Sequence, residues 1–244
     1  MAALRVMTFN LRRDVAADGP HRWDARKELV ARLVRRHAPH VVGTQEGLPH
    51  QLADLDARLA GYRRVGGCRR GDGTDEHNAL YYDAARLELL EAGDFWLSDA
   101  PHEPGSATWG NRHPRIATWA RFMDRVTGRP ITVANTHLDH ESARARREAA
   151  ALLARRLPAA ILLGDFNEEP GGEVHAVLCG ASRKDTTHLD RTPTFHGFSA
   201  QSRARLDWIL VPVHAHVKRA AVVRERPEGR YPSDHDPVMA EIVV

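Results

Sequence analysis

Apolar and polar positions alternate from Leu4 to Asn10 around Val6 and Thr8, and this period of two predicts a strand that opens the core. Over about 23–37 the period changes: Leu29, Val30, Leu33 and Val34 recur at helical spacing with arginine and lysine between them. Pro39 disfavours helical geometry at the residue before it, so the helix should stop there. Val41-Val42-Gly43-Thr44 predicts a buried strand that ends at Gln45-Glu46, and Leu52, Leu55 and Leu59 mark a second helix over about 49–59.

Strands follow over 79–82, 87–91, 116–123 and 131–137, with Thr127-Gly128-Arg129-Pro130 as a hairpin turn between the last two. A helix over about 142–157 leads into the apolar strand 159–163, which runs into Gly164-Asp165-Phe166-Asn167. Three late strands are expected over 206–211, 216–223 and 238–243. The irregular stretches 98–114 and 184–201 are long for a compact domain, where such loops are usually functional. With no linker, low-complexity tract or short repeat in 244 residues, the mixture predicts one α/β domain over 1–244. Two sheets should pack face to face with helices outside.

A composition of 42% hydrophobic and 27% charged residues excludes the disordered and fibrous classes. A core of this size needs no disulfide staple, so Cys68 and Cys179 are expected as free thiols. The net charge of +3 suits an anionic substrate without selecting one, because arginines such as Arg32, Arg35, Arg146 and Arg155 fall on the solvated faces of expected helices. The start, Met1-Ala2-Ala3-Leu4-Arg5, lacks the basic-then-apolar pattern of a signal peptide, and no run reaches bilayer-spanning length. A cytoplasmic protein with no membrane contact and no obligate protein partner is expected.

Polar clusters stand where strands end: Thr8-Phe9-Asn10, Gln45-Glu46, Asn135-Thr136-His137-Leu138 and Gly164-Asp165-Phe166-Asn167. Two more, Arg205-Leu206-Asp207-Trp208-Ile209 and Ser233-Asp234-His235-Asp236-Pro237, lie near the end of the chain. Asp, Glu and Asn are hard oxygen ligands suited to Mg²⁺ or Mn²⁺, and they are costly beside buried strands unless paired or metal-bound. Singly, each has an ordinary structural explanation: a turn cap at Asn10 or Asp234, an exposed strand-end charge at Glu46, a hydrogen-bonded interior ring at His137.

Taken together, their order and local sequences resemble the endonuclease/exonuclease/phosphatase superfamily from Thr8 to Pro237, with Gly164-Asp165-Phe166-Asn167 and Ser233-Asp234-His235 as the most specific elements. The resemblance implies a four-layer αββα sandwich, with the site on one edge of two mixed sheets. It implies metal ligation by Asn10 and Glu46, with Asp234 as the extra ligand when a second metal binds, the ion being Mg²⁺ with Mn²⁺ as the alternative. Asp165 would orient and deprotonate the attacking water, and Asn167 would hold that water or the developing charge. His235 and His137 would contact the phosphate, with Asp207 orienting His235 and Glu76 buttressing His137.

Departures narrow the class. Leu11-Arg12-Arg13 follows Asn10 where apurinic endonucleases carry an acidic or small residue, and Glu168-Glu169-Pro170-Gly171 matches neither 5-phosphatases nor repair nucleases. Arg115-Ile116-Ala117-Thr118-Trp119 looks like small bacterial members of the superfamily. Arg115 is a candidate substrate-phosphate contact or else a surface charge, and Trp109 a candidate stacking surface for a base or sugar or else a partly buried ring. The expectation is a metal-dependent hydrolase of a small phosphorylated molecule. A nuclease is the alternative, and a binding protein on an inactive hydrolase fold is the third reading.

Overall fold

A computed structural model describes residues 2–180, 182–187, 192–201 and 203–244; part of the expected loop 184–201, namely 188–191, lies outside the described residues, as does Met1. The first strand, β1 (Leu4–Asn10), leads through α1 (Trp23–His37) to β2 (Val41–Gly47), and β1 and β2 pair in parallel. Helix α1 ends where Pro39 requires it, with Ala38 in the left-handed region at φ 43°. After α2 (Pro49–Arg58) come β3 (Tyr62–Val65), β4 (His77–Asp83), β5 (Leu87–Trp96), β6 (Ile116–Asp124) and β7 (Arg129–His137). Helix α3 (Ala143–Arg156), N-capped by the Ser142 hydroxyl, joins β7 to its parallel neighbour β8 (Ile161–Asp165). The rest is α4 (Glu173–Cys179), β9 (Arg183–Asp185), β10 (Asp207–Pro212), β11 (His216–Val222) and β12 (Val238–Val243).

The strands form two mixed six-stranded sheets, ordered β11-β12-β1-β2-β4-β3 and β5-β6-β7-β8-β10-β9. Strand alternation divides the apolar residues among three seams. Val6, Val41, Leu80, Phe122, Val133, Ile161, Leu163 and Ile209 fill the space between the sheets. Met7, Phe9 and Val42 face the other way, onto Trp23, Val30 and Leu33 of α1 and Leu52 and Leu55 of α2. Leu162, Trp208 and Leu210 do the same on the second sheet, under Ala149, Ala150 and Leu153 of α3 and Val174 of α4. The layers therefore run helix, sheet, sheet, helix, as expected.

Each sheet has one parallel pair at its centre, and antiparallel neighbours flank it. The C-terminal ends of β1, β2, β7 and β8 thus share one edge with the N-terminal ends of β4, β6, β10 and β12. Buried polar residues occupy the space between the sheets just below that edge. Asn135 of β7 donates through Nδ2 to the carbonyl oxygens of Thr44 (2.8 Å) and Ala79 (3.0 Å) in the opposite sheet. Its Oδ1 accepts from Gln45 Nε2 at 2.6 Å, and that amide also reaches Thr8 Oγ1 at 3.0 Å. Gly43 leaves the room: a Cβ there would stand 2.8 Å from Asn135 Oδ1.

Strands β3 and β9, helix α4 and the second half of β5 are not anticipated by the sequence pattern. The three strands lie at sheet edges, where one-sided burial and interspersed charge blur the period of two. Both cysteines are free thiols, and no helix among the described residues is long and apolar enough to cross a membrane.

Removing the Asn135 amide takes a donor from two buried carbonyls and the shortest of three acceptors from the Gln45 amide. Asn135→Ala should lower unfolding free energy in a denaturant titration by about 2–4 kcal/mol. A loss below about 0.5 kcal/mol, the range of an uninvolved surface site, would show that the cross-sheet bonds contribute nothing.

Candidate active site

Asn10 is the last residue of β1, and its side-chain amide bridges the two sheets. Its Nδ2 donates to Glu46 Oε1 in its own sheet and to Asp165 Oδ2 in the other, each at 3.0 Å. Its Oδ1 accepts from Arg12 N at 2.9 Å. Glu46 lies in a register shift between β2 and β4, with φ at 63°, and this bulge turns its carboxylate towards the open edge. Burial opposes ionisation at Glu46. The His137 ring, the Asn10 amide and the Arg13 backbone N–H (3.1 Å) outweigh it and hold the carboxyl at about 2.

Asp165 ends β8. A Cβ on Gly164 would lie 2.4 Å from the Thr136 carbonyl oxygen, so only glycine lets β8 approach β7 this closely. Asp165 Oδ1 accepts from Asn167 N at 3.0 Å; Oδ2 lies 3.6 Å from His137 Nε2 and 3.8 Å from His235 Nε2. Burial and the neighbouring Asp207 carboxylate push Asp165 up to about 7. Asp207 opens β10 directly opposite Asp165 and accepts from His235 Nδ1 at 2.8 Å. Burial disfavours a charged imidazole, but Asp207, Asp165 and Asp234 outweigh it and raise His235 well above its ordinary range. Burial and then Arg115 push His137 the opposite way, well below it.

Glu46, His137, Asp165 and His235 line a cleft of about 560 Å³, with Asn10 and Asp207 fully buried behind them. Asp234 enters it with an Arg12 ion pair at 3.7 Å, and burial raises its carboxyl. Asn167 lines it too, with Nδ2 donating to Leu138 O at 2.9 Å. Glu76 accepts from Arg69 (2.6 Å) and Arg13 (3.2 Å), and no hydrogen bond among the described residues joins it to His137. Arg115 is a buried wall of the cleft rather than a surface charge. Trp109 is not brought to it: the ring is 6% exposed, packs in the seam beneath α3 and donates to Asp99 Oδ1 at 2.9 Å.

Several contributors escape sequence reasoning. Arg12, Arg13, Arg69 and Arg112 line the cleft beside Arg115, the one arginine anticipated there. The run Arg12-Arg13 directly after Asn10 was a visible signal; Arg69 and Arg112 become neighbours only through loop folding. Arg12, Glu46, Asn167 and Phe198, at φ 54°, 63°, 48° and 58°, all line it as well, so left-handed non-glycine backbone gathers at the cleft. Thr194, in the long loop after β9, is a junction. Its Oγ1 accepts from Leu206 N (3.0 Å) and Asp207 N (3.1 Å), while its carbonyl accepts from Asp236 N (2.7 Å). One residue thus fastens the segments that carry both members of the Asp207–His235 pair.

The donor chemistry fits a divalent cation. Glu46, Asp165, Asp207 and Asp234 place four carboxylates in one buried region, and reactive atoms of Glu46, His137 and Asp165 lie within 4.8 Å of one another, as do those of Asp165, Asp207 and His235. Burial first, and a neighbouring carboxylate second, raise Asp165 and Asp234, a direction a bound cation would oppose, and Asp207 Oδ1 is buried without a partner among the described residues. Glu46 and Asp234 offer hard oxygens on the cleft, and Asn10 Oδ1, buried behind them and accepting from Arg12 N, is a further oxygen donor.

Residues 7–235 match the model of the endonuclease/exonuclease/phosphatase family, and the chain belongs to that family. It is a phosphoric ester hydrolase. The mannosyl-6-phosphatase of Bacteroides thetaiotaomicron VPI-5482 is 32% identical, with a TM-score of 0.92 over 99% of this chain and 100% of that one. A family member from Bacteroides vulgatus is 32% identical, with a TM-score of 0.93 over 100% of both chains. The human Nocturnin catalytic domain, solved with bound sulfate, shares the fold at 21% identity and a TM-score of 0.79 over 99% of this chain and 93% of that one. No curated protein sequence matches the chain.

Thr194→Val keeps the shape and removes the acceptor beneath Asp207. Turnover should fall about tenfold or more with a smaller change in KM, alongside a stability loss of about 1–3 kcal/mol, and Thr194→Ser should recover both. Steady-state kinetics with thermal denaturation check this; a loss of stability with unchanged kcat would leave Thr194 a purely structural residue.

Proposed function

We propose that the chain is a divalent-cation-dependent phosphomonoesterase acting on a small phosphorylated molecule such as a sugar phosphate or a nucleotide, with Mg²⁺ as the ion and Mn²⁺ able to replace it. The cleft carries the reading: about 560 Å³, carboxylates and histidines on its floor and arginines along its walls. That volume suits a small ligand. The full-length similarity to a mannosyl-6-phosphatase supports a sugar phosphate within the class. A single catalytic domain over 1–244 is part of the same reading, since the site draws on residues from Asn10 to His235.

In this mechanism Asp165 Oδ2, buried and raised to about 7, takes a proton from the attacking water as the water oxygen bonds to phosphorus; the ester P–O bond on the opposite side breaks, and the departing alkoxide takes a proton from solvent. His235, fixed through Nδ1 by Asp207, presents Nε2–H to a phosphoryl oxygen, and His137 stands beside it as a second contact. Asn167 retains one amide hydrogen for the water after binding Leu138 O. Asn10 and Glu46, with Asp234, would hold the cation. When bound, it supplies positive charge to the phosphoryl oxygens.

A panel of hexose phosphates, nucleoside monophosphates, bis(p-nitrophenyl) phosphate and single- and double-stranded oligonucleotides tests the reading with Mg²⁺, Mn²⁺ and excess chelator. Monoesters should turn over fastest, chelator should abolish the reaction, and Asp165→Asn should lose about 10²-fold or more while staying folded. Faster cleavage of oligonucleotides, falling steeply with salt, would replace this reading with a nuclease.

A further inference from the structure

Arg115 stands immediately before β6 and is 5% exposed, with carboxylates near it but, among the described residues, few hydrogen-bond acceptors for its guanidinium. Its one hydrogen bond runs from Nη2 to His140 Nδ1 at 3.0 Å. The nearest carboxylate oxygen, Asp139 Oδ2, lies 3.5 Å from Nε, and neither atom completes a hydrogen bond. Asp139 is already engaged elsewhere, with Oδ1 accepting from Glu141 N (3.0 Å) and Ser142 N (2.7 Å). Arg183 is also buried with a single hydrogen bond, from Nε to the Ala160 carbonyl, but it lies away from the cleft. Two other buried arginines are more fully engaged. Arg69 bonds Glu76 at 2.6 Å and Asp75 at 3.1 Å, and Arg26 donates to the carbonyls of Leu11, Arg12, His21 and Pro232.

A guanidinium carries five donors, and burying one without an anion or a full set of acceptors is strongly unfavourable. Arg115 lines the cleft, and its charge acts on His137, Glu76 and Glu46, so it faces the reaction centre. Exposed Arg112, which makes no ion pair among the described residues, lines the cleft too. Because Arg115 reaches the cleft, an anion entering there would supply the acceptors that its guanidinium lacks.

A phosphomonoester carries about −1.5 to −2 charges near pH 7 and three terminal oxygens, whereas a diester keeps one charge and two such oxygens. In the proposed mechanism His137 and His235, with a cation that Asn10, Glu46 and Asp234 would hold, would serve either ester type. We propose that Arg115 is a charge-selective anion site for the terminal oxygen and second negative charge that a monoester has and a diester lacks. This rests on the phosphomonoesterase reading and names the residue that sets its substrate class. The planar fork of arginine meets two phosphoryl oxygens at once, which a lysine ammonium does not.

Two measurements decide it. The first is the ratio of kcat/KM for p-nitrophenyl phosphate to that for bis(p-nitrophenyl) phosphate in the parent, Arg115→Gln and Arg115→Lys. The ratio should fall about 100-fold in the glutamine variant and about tenfold in the lysine variant, the scale of one lost charge-assisted contact to the phosphoryl group. Parallel losses on both esters would overturn the proposal. The second is thermal stabilisation by inorganic phosphate in excess chelator at about pH 8, where phosphate is largely the dianion. The parent should be stabilised and Arg115→Gln should not; equal shifts, or no shift in the parent, would overturn it. Because this second readout needs no turnover, a parent that prefers diesters would sink the phosphomonoesterase reading and leave the phosphate shift to judge Arg115 alone. Should Arg115→Gln not fold, Arg115→Lys decides both measurements.

Discussion

Asn135 crosses from one sheet to the carbonyls of two strands in the other, and the alignment of the whole cleft depends on that crossing. The seam around it is apolar, and apolar burial is strong but non-directional. Valine and leucine contacts tolerate a small slide of one sheet over the other; a 3.0 Å amide-to-carboxylate contact does not. The Asn10 bridge to Asp165 is such a contact, with its two ends in different sheets. Directional bonds from Asn135 and Gln45, just below, supply the precision that the hydrophobic seam lacks.

Above this clamp the forces oppose folding. Carboxylates are crowded in a dry edge, and four non-glycine residues hold left-handed backbone around the cleft. Each is unfavourable locally, and the three apolar seams, together with the parallel pairs and their covering helices, offset them. In the proposed mechanism the same crowding is useful. It lifts Asp165 into the range of a base at neutral pH, keeps His235 charged through Asp207, and leaves negative charge for a cation to neutralise.

The central strands and the residues at their ends were legible because two signals coincided there: a clear period of two, and a costly polar residue placed where the period stops. For that reason Glu46, His137, Asp165 and His235 line one cleft, with Asn10 and Asp207 hydrogen-bonded to them from beneath. Edge strands β3 and β9 were not legible, since β3 is only partly buried and β9 is three residues long with charged side chains throughout. The environments of Glu76 and Trp109 depended on partners far along the chain: two arginines for the carboxylate and the α3 seam for the indole. The arginine wall and the Thr194 junction likewise arise from loops, whose sequence carries little periodicity.

The account turns on a cation held where the two sheets meet. Anomalous diffraction from crystals soaked in Mn²⁺ tests it most directly. A peak in bonding distance of the Glu46 carboxylate and the Asn10 amide oxygen, lost in Glu46→Gln, is the predicted result. An enzyme that hydrolyses phosphate esters with Mn²⁺ while its crystals show no peak at Glu46 would contradict it.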